Sequence, residues 1–241
     1  MKLKILLLAF STLMMVSISQ AKEGEGGSSV GDGGHSVVCK KDGKISSVNF
    51  LDIVEIKKLF SGSLRLMCPS NLPGIDYWAS NREGRWYNAC LNAHIYRFRK
   101  VAKNILGSKH PFMKVFDLAD DIAIRMEPLV REQLLNSDTH LPQLISLKPR
   151  CTIQQVALFD YTGSELKLLI YEPLFKKMSI YHQSALITHE AIHTWFQNPT
   201  STLTTRQAIW YLGGNQSFKV KNHEAFIRLI NEKTPQIFVR D

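Results

Sequence analysis

The sequence has 241 residues, of which 44% are hydrophobic and 21% are charged, and its formal net charge is +9 at pH 7. This composition excludes a wholly disordered chain, and the 14 glycines and 9 prolines lack the strict period of a collagen-like fibre. A chain of this length can bury one sizeable hydrophobic core. We therefore expect a compact globular protein.

The first 21 residues are typical of a secretory signal peptide. Lys2 and Lys4 flank the start of an apolar run that extends to Ile18, and Ser19-Gln20-Ala21 ends in the small residues that signal peptidases recognise. The apolar run is shorter than the roughly 20 residues that span a bilayer, which favours cleavage after Ala21 over an uncleaved anchor. The sequence therefore predicts a periplasmic or secreted protein with no transmembrane segment in the mature chain.

The mature chain stays basic, because loss of the signal peptide removes only Lys2 and Lys4 from the charge balance. No nucleic-acid-binding motif accompanies this charge, so we expect no nucleic-acid partner. The densest basic run covers residues 97–100 and falls on a predicted helix. It is either a solvated helix face or a contact with an anionic envelope surface.

Four cysteines remain after the signal peptide, and none belongs to a C-x-x-C pair: Cys39, Cys68, Cys90 and Cys151. An even number of cysteines in an exported protein predicts structural disulfides rather than a redox or zinc-ribbon site. Three connectivities are compatible with the sequence.

The start of the mature chain changes in composition near residue 37. Residues 22–36 are rich in glycine and serine, which predicts a flexible leader before a single domain over 37–241. β-branched residues on both sides of Lys41-Asp42-Gly43 predict a hairpin, followed by a short helix over 52–60. Residues 61–84 are rich in turn-forming residues and predict irregular structure.

The remaining elements are mostly helical. Apolar spacings of three and four predict helices over 88–106 and 112–135, and Pro128 is expected to kink or split the second. Two β-like runs, 152–161 and 166–171, are predicted to pair as a hairpin. Three further helices are predicted over 179–197, 201–212 and 217–230. The expected fold class is α+β, with a small β-sheet and a mostly helical remainder.

One segment has the spacing of a zinc-hydrolase motif: His189-Glu190-Ala191-Ile192-His193. Residues four apart lie on one face of a helix, so both imidazoles can bind one metal ion while the glutamate acts on water held by that metal. Imidazole suits zinc, and a carboxylate takes the proton as the activated water attacks a carbonyl. A core helix with two chance histidines is the alternative.

This motif and the segment before it, residues 152–193, resemble the zincin metallopeptidases. The resemblance implies a zincin-like fold, in which His189 and His193 bind Zn²⁺, Glu190 is the general base and the substrate is a peptide or protein. In that superfamily an edge strand before the active-site helix binds the substrate as an additional strand, and the resemblance assigns that position to residues 166–171.

A third zinc ligand has to come from outside the motif. No Asp or Glu occurs between Glu190 and Glu224, so Glu224 on the last predicted helix is our candidate, with its neighbour His223 as an alternative. More distant alternatives share only a ligand-type side chain: Asp160, Glu172 and His182.

Other polar residues near the motif have weaker claims to a role. Arg206 is either an oxyanion or substrate-carboxylate contact or, as we expect, an arginine that lies on the surface or pairs helices. Three tyrosines are candidate oxyanion donors: Tyr171, Tyr181 and Tyr211.

A looser resemblance covers more of the chain and concerns uncharacterised exported proteins of Bdellovibrio-type predatory bacteria. Its marks are residues 31–39, 51–55, 185–187 and 205–206. In that group the position of His193 is often tyrosine, which implies an alternative function: a non-catalytic exported protein that keeps a degenerate zincin framework for binding or structure.

Overall fold

The computed structural model describes residues 34–60, 82–129, 147–160, 167–196, 203–213 and 220–232. Within these residues the chain has a mixed α+β architecture, with seven α-helices and two three-stranded sheets. The predicted fold class, small sheets with a mostly helical remainder, is confirmed.

Along the described chain, two strands are followed by three α-helices, four strands and four α-helices. The strands are β1 (His35–Lys41), β2 (Lys44–Phe50), β3 (Glu127–Pro128), β4 (Cys151–Gln155), β5 (Ala157–Asp160) and β6 (Lys167–Ile170). The helices are α1 (Leu51–Phe60), α2 (Arg82–Leu106), α3 (Lys114–Ile124), α4 (Glu172–Phe175), α5 (Ile180–Phe196), α6 (Leu203–Gly213) and α7 (Val220–Glu232). A single 3₁₀ turn, Pro111–Met113, precedes α3.

The first sheet has the strand order β2-β1-β4, and both pairings are antiparallel. The turn between β1 and β2 has φ of 52° at Asp42 and 75° at Gly43, and a two-residue hairpin turn favours such positive values. The predicted hairpin is therefore confirmed. Helix α1 begins at Leu51, directly after the last residue of β2.

A disulfide between Cys39 and Cys151 ties β1 to β4. The two residues are direct partners in the register of these strands. Cys90 is also disulfide-bonded, and none of the described cysteines is free. Cys68 lies outside the described residues. The prediction of structural disulfides is confirmed for Cys39 and Cys151, a pairing that the sequence left open.

The predicted leader over 22–36 extends too far at its C-terminal end. His35 and Ser36 are the first residues of β1, pair with β4 and are 5% and 0% exposed. Gly34 is buried as well. His35 and Ser36 pair with β4, and Gly34 packs closely on α5. These contacts make all three residues part of the folded domain. The rest of the leader lies outside the described residues, as does the signal peptide.

The second sheet has the order β3-β6-β5 and corrects two predictions. The run 152–161 is divided, because β4 pairs with β1 and only β5 forms the expected hairpin with β6. Strand β6 is central, since β3 pairs with it in parallel on the other side. Residues 166–171 are therefore not the edge strand that the zincin resemblance assigned to them.

The helices match the predicted ones more closely. Helix α2 begins at Arg82, within the stretch predicted to be irregular, and ends at Leu106 before Gly107, whose φ of 87° favours glycine. Helix α3 ends at Ile124, well short of residue 135, because Glu127–Pro128 extends to pair with β6. No helix among the described residues is long and apolar enough to cross a membrane.

Helix α5 lies at the centre of the molecule. It contacts α2, α3, α6 and β2, and every residue from Ile180 to His193 is buried. The absence of lysine, arginine and aspartate from this helix permits such complete burial. The zinc-hydrolase motif therefore belongs to the core.

Candidate metal centre

The motif side chains lie on the buried helix α5. His189, Glu190 and His193 are 2%, 0% and 3% exposed. The two imidazole rings are neighbours one turn apart, with their centroids separated by 6.3 Å and their planes inclined by 26°. Helical spacing thus places both histidines on one face of the helix, as predicted.

The ring of His189 is held by residues of two other elements. Its Nδ1 atom is 2.7 Å from Oδ2 of Asp52, in the first turn of α1. The ring of Phe50, the last residue of β2, meets it edge-on at a centroid distance of 5.5 Å. Within the described part of the chain, His189 Nε2 is buried and has no hydrogen-bond partner. A histidine that uses Nδ1 on a carboxylate and leaves Nε2 available has the orientation typical of metal ligands.

The Asp52 carboxylate also governs the protonation of His189. Burial disfavours the protonated ring, but the charge of Asp52 and its hydrogen bond outweigh burial and raise the pKa of His189 above its usual value. Because an ionised carboxylate only accepts hydrogen bonds, Nδ1 is the atom that donates.

Arg206 of α6 joins Asp52 and Glu55, two carboxylates on one side of α1. Its Nη2 atom contacts Oε1 of Glu55, and its Nε atom lies 3.7 Å from Oδ1 of Asp52. Trp210 Nε1, one turn further along α6, donates a hydrogen bond of 3.1 Å to Glu55 Oε2. Asp52, Glu55 and Arg206 are each at most 2% exposed, so the charges are compensated inside the core.

The pKa of Glu55 reflects its burial among charged neighbours. Burial raises the pKa of Glu55 to about 7; Arg206 opposes this shift and the charge of Asp52 adds to it. This cluster also decides the role of Arg206: the residue pairs α1 with α6, as expected, and lies in the second layer of side chains around His189.

Gly34 closes the site from the side of the first sheet. A Cβ atom added to Gly34 would lie 1.9 Å from Leu186 Cδ1 and 2.9 Å from Glu190 Oε1. The backbone of the chain therefore passes against the motif carboxylate at a distance that only glycine permits.

The structure does not bring Glu224 together with the motif histidines. Glu224 is exposed and His223 is half-buried, both on α7, which contacts α6 and α2. Among the residues that the structure describes, no three His, Cys, Asp or Glu side chains are grouped closely enough to hold a metal ion.

The remaining ligand candidates have other surroundings. His182 Nδ1 accepts a hydrogen bond of 2.9 Å from the backbone N–H of Phe50. Glu172 forms an ion pair of 2.9 Å with Lys176. The side chain of Asp160 lies outside the described part of the chain.

The candidate oxyanion donors differ in burial. Tyr171 and Tyr211 are half-buried, whereas Tyr181 is buried and stacks on Phe98 with 5.9 Å between the ring centroids. Burial raises the pKa of Tyr181, so its hydroxyl stays neutral at any physiological pH. All three tyrosines therefore pack in or against the hydrophobic core, and this packing accounts for them in the described part of the chain.

Sequence reasoning missed the residues that orient His189. Asp52 and Glu55 stand three residues apart within an otherwise apolar stretch, Leu51-Asp52-Ile53-Val54-Glu55-Ile56. Two acids at helical spacing between core residues indicate buried carboxylates that need partners. That signal was available, but it did not identify His189 as the partner.

No family model, curated protein or solved structure matches this chain. The contacts of the motif residues are therefore the basis for assigning a function.

Proposed function

We propose that the protein is an exported zinc-dependent metallopeptidase that hydrolyses peptide bonds. One observation carries the proposal: His189 uses Nδ1 on a buried carboxylate, while its Nε2 is buried without a hydrogen-bond partner. A polar atom buried without a partner is costly unless something binds it. A zinc ion at this nitrogen fits the chemistry of the residue and of its neighbour His193.

Within this proposal each motif residue has one task. His189 and His193 would hold zinc, and Asp52 keeps the first ring in position through Nδ1. Zinc in such sites lowers the pKa of its water and polarises the scissile carbonyl. Glu190 accepts the proton of the attacking water and passes it to the leaving amine. Glu224, the predicted third ligand, is not grouped with these histidines in the described part of the chain, so the proposal assigns zinc to His189 and His193 alone.

The cysteines support the proposed export. Disulfides such as that between Cys39 and Cys151 persist mainly in oxidising compartments such as the periplasm or the exterior, which favours export. Peptides or proteins at that location are the proposed substrates, and an anionic envelope surface is the proposed contact of the basic residues on α2.

The carboxylate of Glu190 gives the most direct test of this mechanism. We expect Glu190→Gln to lower the rate of peptide hydrolysis by at least about 100-fold while zinc stays bound, because the amide cannot accept a proton. The measurement is cleavage of a quenched fluorescent peptide library by the mature protein and by the variant at equal zinc content.

A matched control removes a different carboxylate. Glu127 is exposed and pairs with Lys167 at 2.8 Å on the second sheet, so Glu127→Gln should leave the hydrolysis rate unchanged. Hydrolysis by Glu190→Gln at the parental rate would refute the mechanism.

Two observations favour a second candidate function, a non-catalytic protein that uses the same framework for binding or structure. The three motif side chains are almost fully buried, and the described residues contain no group of three metal-ligating side chains. This candidate predicts a folded, metal-free protein without hydrolytic activity. Zinc content therefore separates the two.

A further inference from the structure

Each oxygen of the Asp52 carboxylate lies near a different element, Oδ2 in a hydrogen bond and Oδ1 in an ion pair. Oδ2 accepts from His189 Nδ1 of α5 at 2.7 Å, and Oδ1 lies 3.7 Å from Arg206 Nε of α6. A carboxylate held at one oxygen can still rotate about its Cβ–Cγ bond. The second contact therefore restricts the orientation in which Asp52 meets the imidazole.

Arg206 is itself held in place by Glu55 and by its burial. Its Nη2 atom contacts Glu55 Oε1, and the other oxygen of Glu55 accepts the Trp210 indole N–H at 3.1 Å. Arg206 is 2% exposed, so its charge is shielded from solvent and depends on these carboxylate partners. The planar guanidinium can reach two carboxylates at once, which an ammonium group cannot.

The charges of these residues give a second argument for the role of Arg206. Asp52 and Glu55 are buried within one turn of each other, and Arg206 is the positive side chain in contact with both. Two buried carboxylates without a counter-charge repel each other and are strongly disfavoured. Without Arg206, the two buried carboxylates would lack this counter-charge, and the ion pair that helps to orient Asp52 towards His189 would be lost.

From these contacts we infer that Arg206 is a positioning residue for His189: together with Glu55 it fixes the Asp52 carboxylate, which in turn fixes the imidazole that binds metal. This inference rests on the proposed zinc site and adds the residues that hold its ligand His189 in place. Arg206 touches neither metal nor substrate in this arrangement. Its effect on metal binding is transmitted through Asp52.

The test compares Arg206→Gln and Arg206→Lys with the parent in two measurements on the full mature chain. The first is hydrogen exchange of His189 Nδ1–H in the metal-free protein, followed by ¹H–¹⁵N NMR and assigned by its absence in His189→Gln. The second is zinc affinity, measured by competition with a chromophoric chelator. We expect exchange to accelerate at least about tenfold and the zinc Kd to rise about 10- to 100-fold in Arg206→Gln.

Arg206→Lys keeps a positive charge and should fold even if Arg206→Gln does not. A single ammonium cannot hold both carboxylates, so we expect smaller changes of the same sign. If Nδ1–H exchange and zinc affinity are parental in the folded Arg206 variants, the inference is wrong.

Tyr87→Phe is the matched control for loss of a buried contact. Tyr87 donates a 2.9 Å hydrogen bond to Gln183 Oε1, also on α5, so its loss should lower stability without touching Asp52. We expect parental Nδ1–H exchange and zinc affinity in this variant. Changes equal to those of the Arg206 variants would show that general loosening of α5 is the cause and would overturn the inference.

The two measurements separate this inference from the proposed function. If the parent binds no zinc, the proposed function fails, and Nδ1–H exchange alone still decides whether Arg206 positions His189. If the parent binds zinc but exchange is unchanged by the Arg206 substitutions, the proposed function stands and the inference fails.

Discussion

Of the glycines whose surroundings the structure describes, Gly34 has the least room for a side chain. The Cβ atom of an alanine at this position would lie 1.9 Å from Leu186 Cδ1, and Leu186 is fully buried in the core. We expect Gly34→Ala to lower the free energy of unfolding by about 1–3 kcal/mol, as overpacking does. Urea denaturation measures the change.

A second glycine distinguishes crowding from backbone conformation. Gly43 has a φ of 75°, and an added Cβ atom there would meet nothing within 4 Å. Gly43→Ala should therefore lower stability by about 1 kcal/mol through strain alone and leave metal binding unchanged. Parental stability of Gly34→Ala would contradict the close approach of β1 to α5.

Buried histidines outside the motif make stability depend on pH. Burial lowers the pKa of His182 to about 3, below the value of 6.5 expected in the unfolded chain. The unfolded state thus binds the proton more readily. The contribution of His182 to stability is fully present above pH 6.5. It decreases as the pH drops towards 3, by at most about 1.4 kcal/mol per pH unit.

His182→Asn should flatten this dependence, because asparagine retains an acceptor for the Phe50 N–H and does not titrate in this range. The measurement is the urea midpoint between pH 7 and pH 4. His94, whose pKa burial lowers to about 4, supplies a remaining slope in the variant. An identical pH profile in parent and variant would count against a buried, neutral His182.

At the scale of single residues, the histidine motif was predictable from the sequence, but the residues that hold His189 in place were not. The spacing of His189 and His193 suffices to place both on one face of a helix. Asp52 lies 137 residues before His189, and no local pattern connects residues so distant in sequence. Glu224 is the opposite case: its residue type predicted a metal ligand, but the sequence did not predict its exposed position on α7. That position depends on how the helices pack.

Strands β1 and β4 are joined covalently by Cys39 and Cys151, which are 112 residues apart in sequence. Closing so long a loop restricts the unfolded chain strongly. We expect the double substitution Cys39→Ala/Cys151→Ala to lower the free energy of unfolding by about 2–5 kcal/mol under non-reducing conditions. Chemical denaturation measures this change, and peptide mapping of the parent checks the pairing.

Unchanged stability of the double variant would contradict a stabilising role for the disulfide. If the double variant unfolds at the parental denaturant concentration, the bridge does not contribute to the pairing of β1 with β4. Ser46→Ala, which removes an exposed hydrogen bond to the carbonyl of Cys39, is a control that should change stability little.

Element types were mostly predictable, whereas pairing partners were not. The apolar period gave α5 to within one residue at each end, because its pattern is long and uninterrupted. The run 152–161 reads as one strand, yet β4 and β5 belong to different sheets. The two residues of β3 make β6 a central strand, and so short a pairing has no sequence signature.

At the scale of the whole molecule, three distant parts of the chain meet around α5. Gly34 directly precedes β1, Asp52 and Glu55 belong to α1, and Arg206 belongs to α6. The side chains that surround the motif are therefore assembled from segments far apart in the sequence.

Metal content tests the central claim most directly. We would measure zinc by elemental analysis in the mature protein, expressed with its signal peptide and purified without added metal, beside His193→Ala. His110→Ala is the control, because His110 is a half-buried histidine that caps the turn before α3. The account predicts about one zinc ion per chain in the parent and control, and its loss in His193→Ala. A folded parent without zinc, or zinc retained in His193→Ala, would contradict it.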